Sequence, residues 1–165
     1  MTEAIVYPDG RLIMGGRIWQ AALGRAGIRV HKQEGDKATP AGVLPLRRVL
    51  YRADRVKLTG CALRREPLAE DDGWCDDIYR PAYNTQIRLP NEARHERLWR
   101  DDGLYDVIGV LGWNDAPVER GRGSAIFLHV ARPGLAPTEG CVALELADLT
   151  ALLRAGLTAL RVLAP

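Results

Sequence analysis

Short stretches of alternating apolar and polar residues run through the chain and predict a mainly β protein. Residues 4–7 and 11–14 alternate in this way around Pro8-Asp9-Gly10, which has the turn chemistry of a β-hairpin. Further strands are predicted over residues 28–30, 47–51, 105–113, 124–130 and 158–163. Because the runs 105–113 and 124–130 are largely apolar, we expect them to form the core of a β-sandwich.

Two segments have helical spacing instead. Asn91 is a suitable N-cap for a short helix that runs to Arg100. Near the C-terminus an apolar stripe predicts a second helix, which Gly156 ends. The stripe consists of Leu146, Leu149, Leu152 and Leu153. We expect these leucines to pack into the core and to anchor the segment that precedes them.

The length of the chain predicts one domain over residues 1–165. A chain of this size buries about 70% of the surface that its unfolded form exposes, which is enough for one substantial core. No internal repeat is visible. The long polar stretch 54–86 is interpreted as a surface excursion over the sheet, which either narrows access to a site or is an inert insertion.

Charge and hydropathy exclude two classes of partner. The chain has 23 Lys and Arg against 21 Asp and Glu, a net charge of +2, and the two signs are interspersed. This pattern does not predict a nucleic-acid partner. No apolar run of about 18 residues is present, so no membrane span is predicted. Residues 1–7 lack the basic start and long apolar segment of a signal peptide.

Three cysteines are present, and they have different expected roles. Cys61 and Cys75 flank a polar stretch and either pair in an oxidising compartment or remain reduced. If they pair, Cys141 is the one cysteine that remains a free thiol. No His, Cys and Asp cluster has the spacing of metal ligands, so neither a metal nor a cofactor is predicted.

The candidate chemistry lies between residues 124 and 144. The apolar strand 124–130 carries His129 near its end, and Cys141 follows twelve residues later, directly after Gly140. Prolines and a glycine shape the connection into a loop, which brings base and thiol within reach of each other. An imidazole that takes the thiol proton produces a thiolate nucleophile. We interpret Cys141 as the nucleophile and His129 as its base, against the alternative of a core cysteine and a satisfied strand histidine.

These residues resemble a known family. His129 followed by Thr138-x-Gly140-Cys141-Val142 resembles the signature of YkuD-type L,D-transpeptidases. The stretch 32–42 is similar to that family's early loop. Three further stretches resemble its compact proteobacterial branch, namely Gly73-Trp74-Cys75-Asp76-Asp77, Tyr83-Asn84 and Leu98-Trp99-Arg100-Asp101-Asp102. The chain departs from the family at Glu139, where a second histidine is usual, and at Ala143, where an arginine is usual.

The resemblance implies a YkuD-type β-sandwich with one or two short helices, acting on peptidoglycan stem peptides and glycan. It implies a Cys141 thioester that an acceptor amine resolves into a 3,3 crosslink, or a 1,3 crosslink given the two departures. The N–H groups of Gly140 and Cys141 are the candidate donors to the oxyanion, since a glycine-led turn points successive amides in one direction. Thr138 either braces this turn with its hydroxyl or is simply a turn residue. The imidazole is oriented either by the Val130 carbonyl, as the resemblance implies, or by Glu139.

The remaining site residues are candidate substrate contacts. Aromatic, amide and charged groups near the predicted strand ends suit sugars, stem amides and carboxylates. These candidates are Tyr83, Asn84, Asn114, Arg122, Arg132 and Glu139.

Two other functions remain open at this point. Attack by water on the thioester would make the protein an L,D-carboxypeptidase or endopeptidase that hydrolyses stem peptides. A non-catalytic peptidoglycan-binding domain would need no reactive thiol at all. Each of the three functions places the protein in the periplasm, because that is where peptidoglycan lies.

Overall fold

A computed structural model describes residues 2–165, and its fold is mainly β with a sandwich-like sheet, as predicted. The described residues form fourteen strands, one α-helix and one 3-10 turn at Pro133–Leu135. The elements up to the middle of the chain are β1 (Glu3–Val6), β2 (Arg11–Met14), β3 (Arg17–Gln20), β4 (Ile28–Arg29), β5 (Thr39–Pro40), β6 (Gly42–Tyr51), β7 (Arg65–Pro67) and β8 (Asp72–Cys75). The others are β9 (Gln86–Arg88), β10 (His95–Arg97), β11 (Val107–Leu111), β12 (Phe127–Val130), β13 (Val142–Leu144), α1 (Leu146–Arg154) and β14 (Ala159–Val162).

The largest sheet is held together by the long strand β6. Its strand order is β13-β12-β11-β6-β14-β1-β2-β3, with β7 paired alongside β6. The first residues of β6 pair with β14 and the later ones with β11, so one strand joins the two halves of the sheet. The strand β12 lies between β11 and β13, and it pairs with β13 in parallel. This parallel pair carries the candidate catalytic residues.

The predicted strands are present, with ends shifted by a few residues. The hairpin of β1 and β2 turns at residues 7–10, where the Tyr7 carbonyl accepts the Gly10 N–H at 2.9 Å. The strand predicted over 47–51 is longer in the structure, because β6 begins at Gly42. The last predicted strand is β14, which pairs in parallel with β1. The strands β3 and β13 were not predicted, since neither segment stands out as an alternating run of useful length.

The prediction for residues 54–86 as a surface excursion is wrong in part. This stretch contains β7 and β8, and β8 is the centre of a three-stranded sheet with the order β10-β8-β9. All four residues of β8 are buried. Trp74 packs edge-on against Phe127, with ring centroids 5.0 Å apart. The stretch 54–86 therefore contributes Trp74 to the apolar cluster that contains Phe127 and Cys141.

The helix predicted from Asn91 to Arg100 is also wrong. The side chain of Asn91 accepts the Ala93 N–H at 2.9 Å, which makes a turn instead of a helix cap. The following residues form β10, whose Glu96 lies opposite Trp74 of β8. Pairing with a neighbouring strand has overridden the local helical preference, as tertiary context commonly does.

The C-terminal helix is present as α1, and Gly156 ends it with a φ of +93°. Leu149, Leu152 and Leu153 are buried as predicted, but Leu146 lies at the first position of the helix and remains 38% exposed. The helix packs against β12 and β13. It therefore supports the two strands that flank the site.

The three cysteines are all free thiols. Cys61 is partly buried and Cys75 is fully buried, so the disulfide considered between them does not form in this structure.

Candidate active site

Cys141 and His129 are brought together by the parallel pairing of β12 and β13. His129 lies opposite Ala143, and Cys141 is the residue that directly precedes β13. The thiol donates to the Ala125 carbonyl at 3.2 Å and accepts the Phe127 N–H at 3.4 Å. Both side chains line one cavity of about 440 Å³. The structure thus places the predicted nucleophile and base in a common cavity.

The loop before Cys141 is fixed by Thr138. Its hydroxyl donates to the Cys141 carbonyl at 2.7 Å and accepts the Gly140 N–H at 3.1 Å. Gly140 has a φ of +137°, and a Cβ there would lie 2.8 Å from the Ala38 carbonyl oxygen. Only glycine fits this position without strain. The Gly140 N–H is donated to Thr138 in this structure, and its role as an oxyanion donor stays a prediction.

His129 is held in a defined tautomer. A carbonyl can only accept, so the 2.8 Å contact between His129 Nδ1 and the Val130 oxygen is an N–H donated to the main chain. The Nε2 atom is then the free acceptor. The ring of Tyr105 meets the imidazole edge-on, with centroids 5.3 Å apart. The main-chain oxygen of Val130, and not Glu139, therefore contacts the imidazole Nδ1 in this structure.

Burial keeps both groups neutral in the free protein. Desolvation raises the pKa of Cys141 to about 12, and the charge of Glu96 adds to this rise, while the Phe127 N–H and Lys32 oppose it. Desolvation also lowers the pKa of His129 to about 4, against the hydrogen bond to Val130. Both shifts favour a neutral thiol and a neutral imidazole, because the protein interior disfavours either charge.

Charged side chains surround the thiol. Basic groups come from Arg25, Lys32, Lys37, Arg100 and Arg132, and acidic groups from Glu34, Asp76, Glu96 and Glu139. Arg132 and Glu139, both predicted as substrate contacts, are exposed side chains that line the cavity. Glu139 pairs with Arg25 at 3.2 Å. It is exposed to solvent at the rim of the cavity.

The other predicted substrate contacts lie outside this cavity. Tyr83 and Asn84 are buried, and the Asn84 amide bridges the Trp113 and Asn114 carbonyls at 3.0 and 2.8 Å. Asn114 and Arg122 line a separate, shallower pocket of about 400 Å³. The motif Tyr83-Asn84 is thus part of the scaffold, because its polar atoms are used by neighbouring loops. The structure does not bring these four residues to the thiol.

Several cavity residues were missed by the sequence analysis. Glu96 and Tyr105 line the cavity with Cys141 and His129, and the Tyr105 hydroxyl donates to Glu96. Thr39 is not part of the cavity lining; it is fully buried, and its hydroxyl accepts the Gly24 N–H at 2.9 Å. Lys32 is buried with Asp36 in an ion pair of 2.5 Å. Glu96 was not identified from the sequence, because the segment that carries it was predicted as a helix and is a strand in the structure.

The described part of the chain, residues 2–165, has no helix long and apolar enough to cross a membrane. Within the same residues no group of three His, Cys, Asp or Glu side chains is arranged to hold a metal ion.

The structure is thus a mainly β protein in which a thiol and an imidazole line the same cavity. Residues 1–161 match the family model described as the YkuD L,D-transpeptidase catalytic domain. The chain belongs to this family. Comparison with curated proteins gives no match.

Three solved structures are similar to the chain. An L,D-transpeptidase from Mycobacterium smegmatis is 13% identical with a TM-score of 0.47, covering 99% of this chain and 58% of its own. L,D-transpeptidase 1 from Mycobacterium tuberculosis is 12% identical with a TM-score of 0.42, covering 99% and 62%. The LD transpeptidase LdtMt1 in complex with imipenem is 12% identical with a TM-score of 0.45, covering 98% and 58%. The chain thus spans about three fifths of the length of these solved proteins.

Proposed function

We propose that this protein is a peptidoglycan L,D-transpeptidase that works through a thioester on Cys141. One observation carries the proposal: the imidazole on β12 and the thiol that directly precedes its parallel neighbour β13 line the same cavity in a chain of this family. Peptidoglycan stem peptides and glycan would be its partners. The proposed place of action is the periplasm, where this substrate lies.

The first half-reaction begins with both groups neutral. The free Nε2 of His129 takes the thiol proton as the sulfur attacks the carbonyl of an amide that joins an L-centre to a D-centre amine. The Cys141 N–H is then the proposed donor to the oxyanion, since the Gly140 N–H is held by Thr138. His129 returns the proton to the leaving amine, and the thioester remains.

In the second half-reaction an acceptor amine of a neighbouring stem attacks the thioester and forms a crosslink. The family resemblance supports a 3,3 crosslink, and the replacements at Glu139 and Ala143 support a 1,3 crosslink. Ala143 is fully buried within β13, so no side chain at this position reaches substrate. The exposed Arg132 beside the cavity is the group that we propose for a substrate carboxylate.

Mass spectrometry of muropeptides tests this function directly. Purified wild type is incubated with peptidoglycan, and the digest is compared with that of Cys141→Ala and of Cys61→Ala, which removes a thiol outside the cavity. New dimers from wild type and Cys61→Ala, but not from Cys141→Ala, are expected, and their fragmentation gives the crosslink type. Absence of new dimers from wild type would contradict transpeptidation.

Hydrolysis is the second candidate function, because the half-exposed cavity admits water to the same thioester. Free stem fragments without dimers, unchanged by an added amine, would identify a carboxypeptidase or endopeptidase. Binding of stem peptides without any product, equal in wild type and Cys141→Ala, would identify a peptidoglycan-binding domain.

A further inference from the structure

Glu96 is a carboxylate of the cavity that has no basic partner among the described residues. Its neighbour Glu139 pairs with Arg25 at 3.2 Å, and Asp76 pairs with Arg94 at 3.1 Å. No lysine or arginine of residues 2–165 lies within 4.0 Å of the Glu96 carboxylate. A carboxylate that is largely withdrawn from water without a cation is costly.

The nearest guanidinium is already engaged. Arg100 lies close enough to influence Glu96, but its Nη2 and Nε atoms bind the Asp102 carboxylate at 2.5 and 3.1 Å. This ion pair directs the guanidinium of Arg100 to Asp102, and Arg100 makes no direct contact with the Glu96 carboxylate. Glu96 therefore remains available to a cation that enters the cavity.

The carboxylate of Glu96 is also fixed in place. The buried Tyr105 donates its hydroxyl to Oε1, and the same tyrosine ring packs against His129. The Oε2 atom has no hydrogen-bond partner within the described residues. Burial raises the pKa of Glu96, and Asp76 and Glu34 contribute further, while Tyr105 and Arg100 oppose them. One carboxylate oxygen is thus held ready beside the thiol and its base.

We propose that Glu96 receives the acceptor amine of the second half-reaction, pairing with it as an ammonium and then taking one of its protons. This inference rests on the proposed transpeptidase function, which requires an amine that is cationic in solution. The neutral amine attacks the thioester carbonyl, and its second proton passes to His129. As the C–S bond breaks, the sulfur takes that proton, which leaves an amide, a thiol and a protonated Glu96 that returns its proton to water.

The test separates the two half-reactions. A thioester of an N-acetylated L-amino acid acylates Cys141, and intact-mass spectrometry follows the acyl-enzyme. Nα-acetyl-D-lysine is the cationic acceptor, and hydroxylamine is an acceptor that is neutral at the same pH. In Glu96→Gln we expect acylation at least as fast as in wild type, because the charge that raises the pKa of Cys141 is removed. We expect at least about tenfold slower transfer to Nα-acetyl-D-lysine and no comparable loss with hydroxylamine.

Two further variants complete the test. Tyr105→Phe removes the hydroxyl that fixes Glu96, and we expect a smaller loss for the cationic acceptor in the same direction. Glu66→Gln changes a half-buried carboxylate outside the cavity, and we expect it to match wild type. If Glu96→Gln slows both acceptors equally, or neither, the role of Glu96 is overturned.

Failure of acylation by wild type would count against the proposed function and not against the amine site. Calorimetry of Nα-acetyl-D-lysine binding to Cys141→Ala then tests the amine site without any reaction. Weaker binding after the additional Glu96→Gln change would support the site, and equal binding would overturn it.

Discussion

The hydroxyl of Thr138 holds both ends of the peptide that leads into Cys141. It accepts the N–H of Gly140 at 3.1 Å and donates to the carbonyl of Cys141 at 2.7 Å. A single side chain thus closes the turn and sets the direction in which the following main chain runs. The thiol position depends on this pair of hydrogen bonds as much as on the strand β13.

Replacing Thr138 by Val keeps the branched shape and removes both hydrogen bonds. We expect a loss of about 1 kcal/mol in the free energy of unfolding and a slower acylation of Cys141. Thr138→Ser retains the hydroxyl and should recover most of both losses. Urea unfolding and intact-mass kinetics with the thioester donor measure the two effects. Equal acylation rates in Thr138→Val and wild type would contradict the bracing role.

The raised pKa of Cys141 predicts a thiol of low reactivity in the free protein. With a pKa of about 12, the thiolate fraction at pH 7 is about a thousandfold smaller than for an unperturbed thiol. Alkylation by iodoacetamide should therefore be slow at pH 7 and rise steadily with pH beyond pH 10. Peptide mapping of Cys141 in Cys61→Ala gives the rate. Fast labelling at pH 6 would mean that an ion pair already exists.

The sequence indicated Cys141 and His129 as the candidate pair because the signal is local. An apolar strand, a loop with proline and glycine, and Gly140-Cys141 lie within twenty residues, and strand pairing of β12 with β13 brings them together. The hairpin of β1 and β2 was predicted for the same reason. Local alternation and turn residues are enough to predict the structure where residues that are neighbours in space are also neighbours along the chain.

Other parts of the site depend on contacts between distant segments. Glu96 reaches the cavity through the pairing of β10 with β8, and no period within residues 91–100 indicates it. Tyr83 and Asn84 were taken as substrate contacts, but their polar atoms bind Glu34 and the Trp113 carbonyl. The neutral state of the thiol and imidazole was also missed. It follows from burial, which spacing along the chain does not report.

The lowered pKa of His129 predicts a loss of stability in mild acid. The unfolded chain binds a proton near pH 6.5 and the folded protein only near pH 4, so the unfolded state gains protons first as pH falls. The stabilisation is complete above pH 6.5 and is lost as pH falls through pH 4. We expect this group to contribute a decrease of about 2 kcal/mol between pH 7.5 and pH 5.

Urea unfolding at the two pH values measures this decrease. His129→Gln should remove most of it, whereas His31→Gln changes an exposed histidine and should leave it intact. An equal pH dependence in wild type and His129→Gln would show that other groups cause the acid sensitivity.

Gly140 and Gly134 offer a matched comparison of two glycines with positive φ in the same loop. At Gly140 a Cβ would meet the Ala38 carbonyl oxygen at 2.8 Å, in addition to the strain of a φ of +137°. At Gly134 the φ is +70°, and a Cβ would have no atom within 4 Å. We expect Gly134→Ala to cost about 1 kcal/mol and Gly140→Ala at least twice as much, since only the latter adds a clash with the main chain.

Thermal unfolding gives the stabilities of the two variants, and acylation rates show whether the thiol of Cys141 has moved. Because the Ala38 main chain has little room to yield, Gly140→Ala should also slow acylation, while Gly134→Ala should not. Equal stability losses in the two variants would mean that the loop relaxes freely around Cys141.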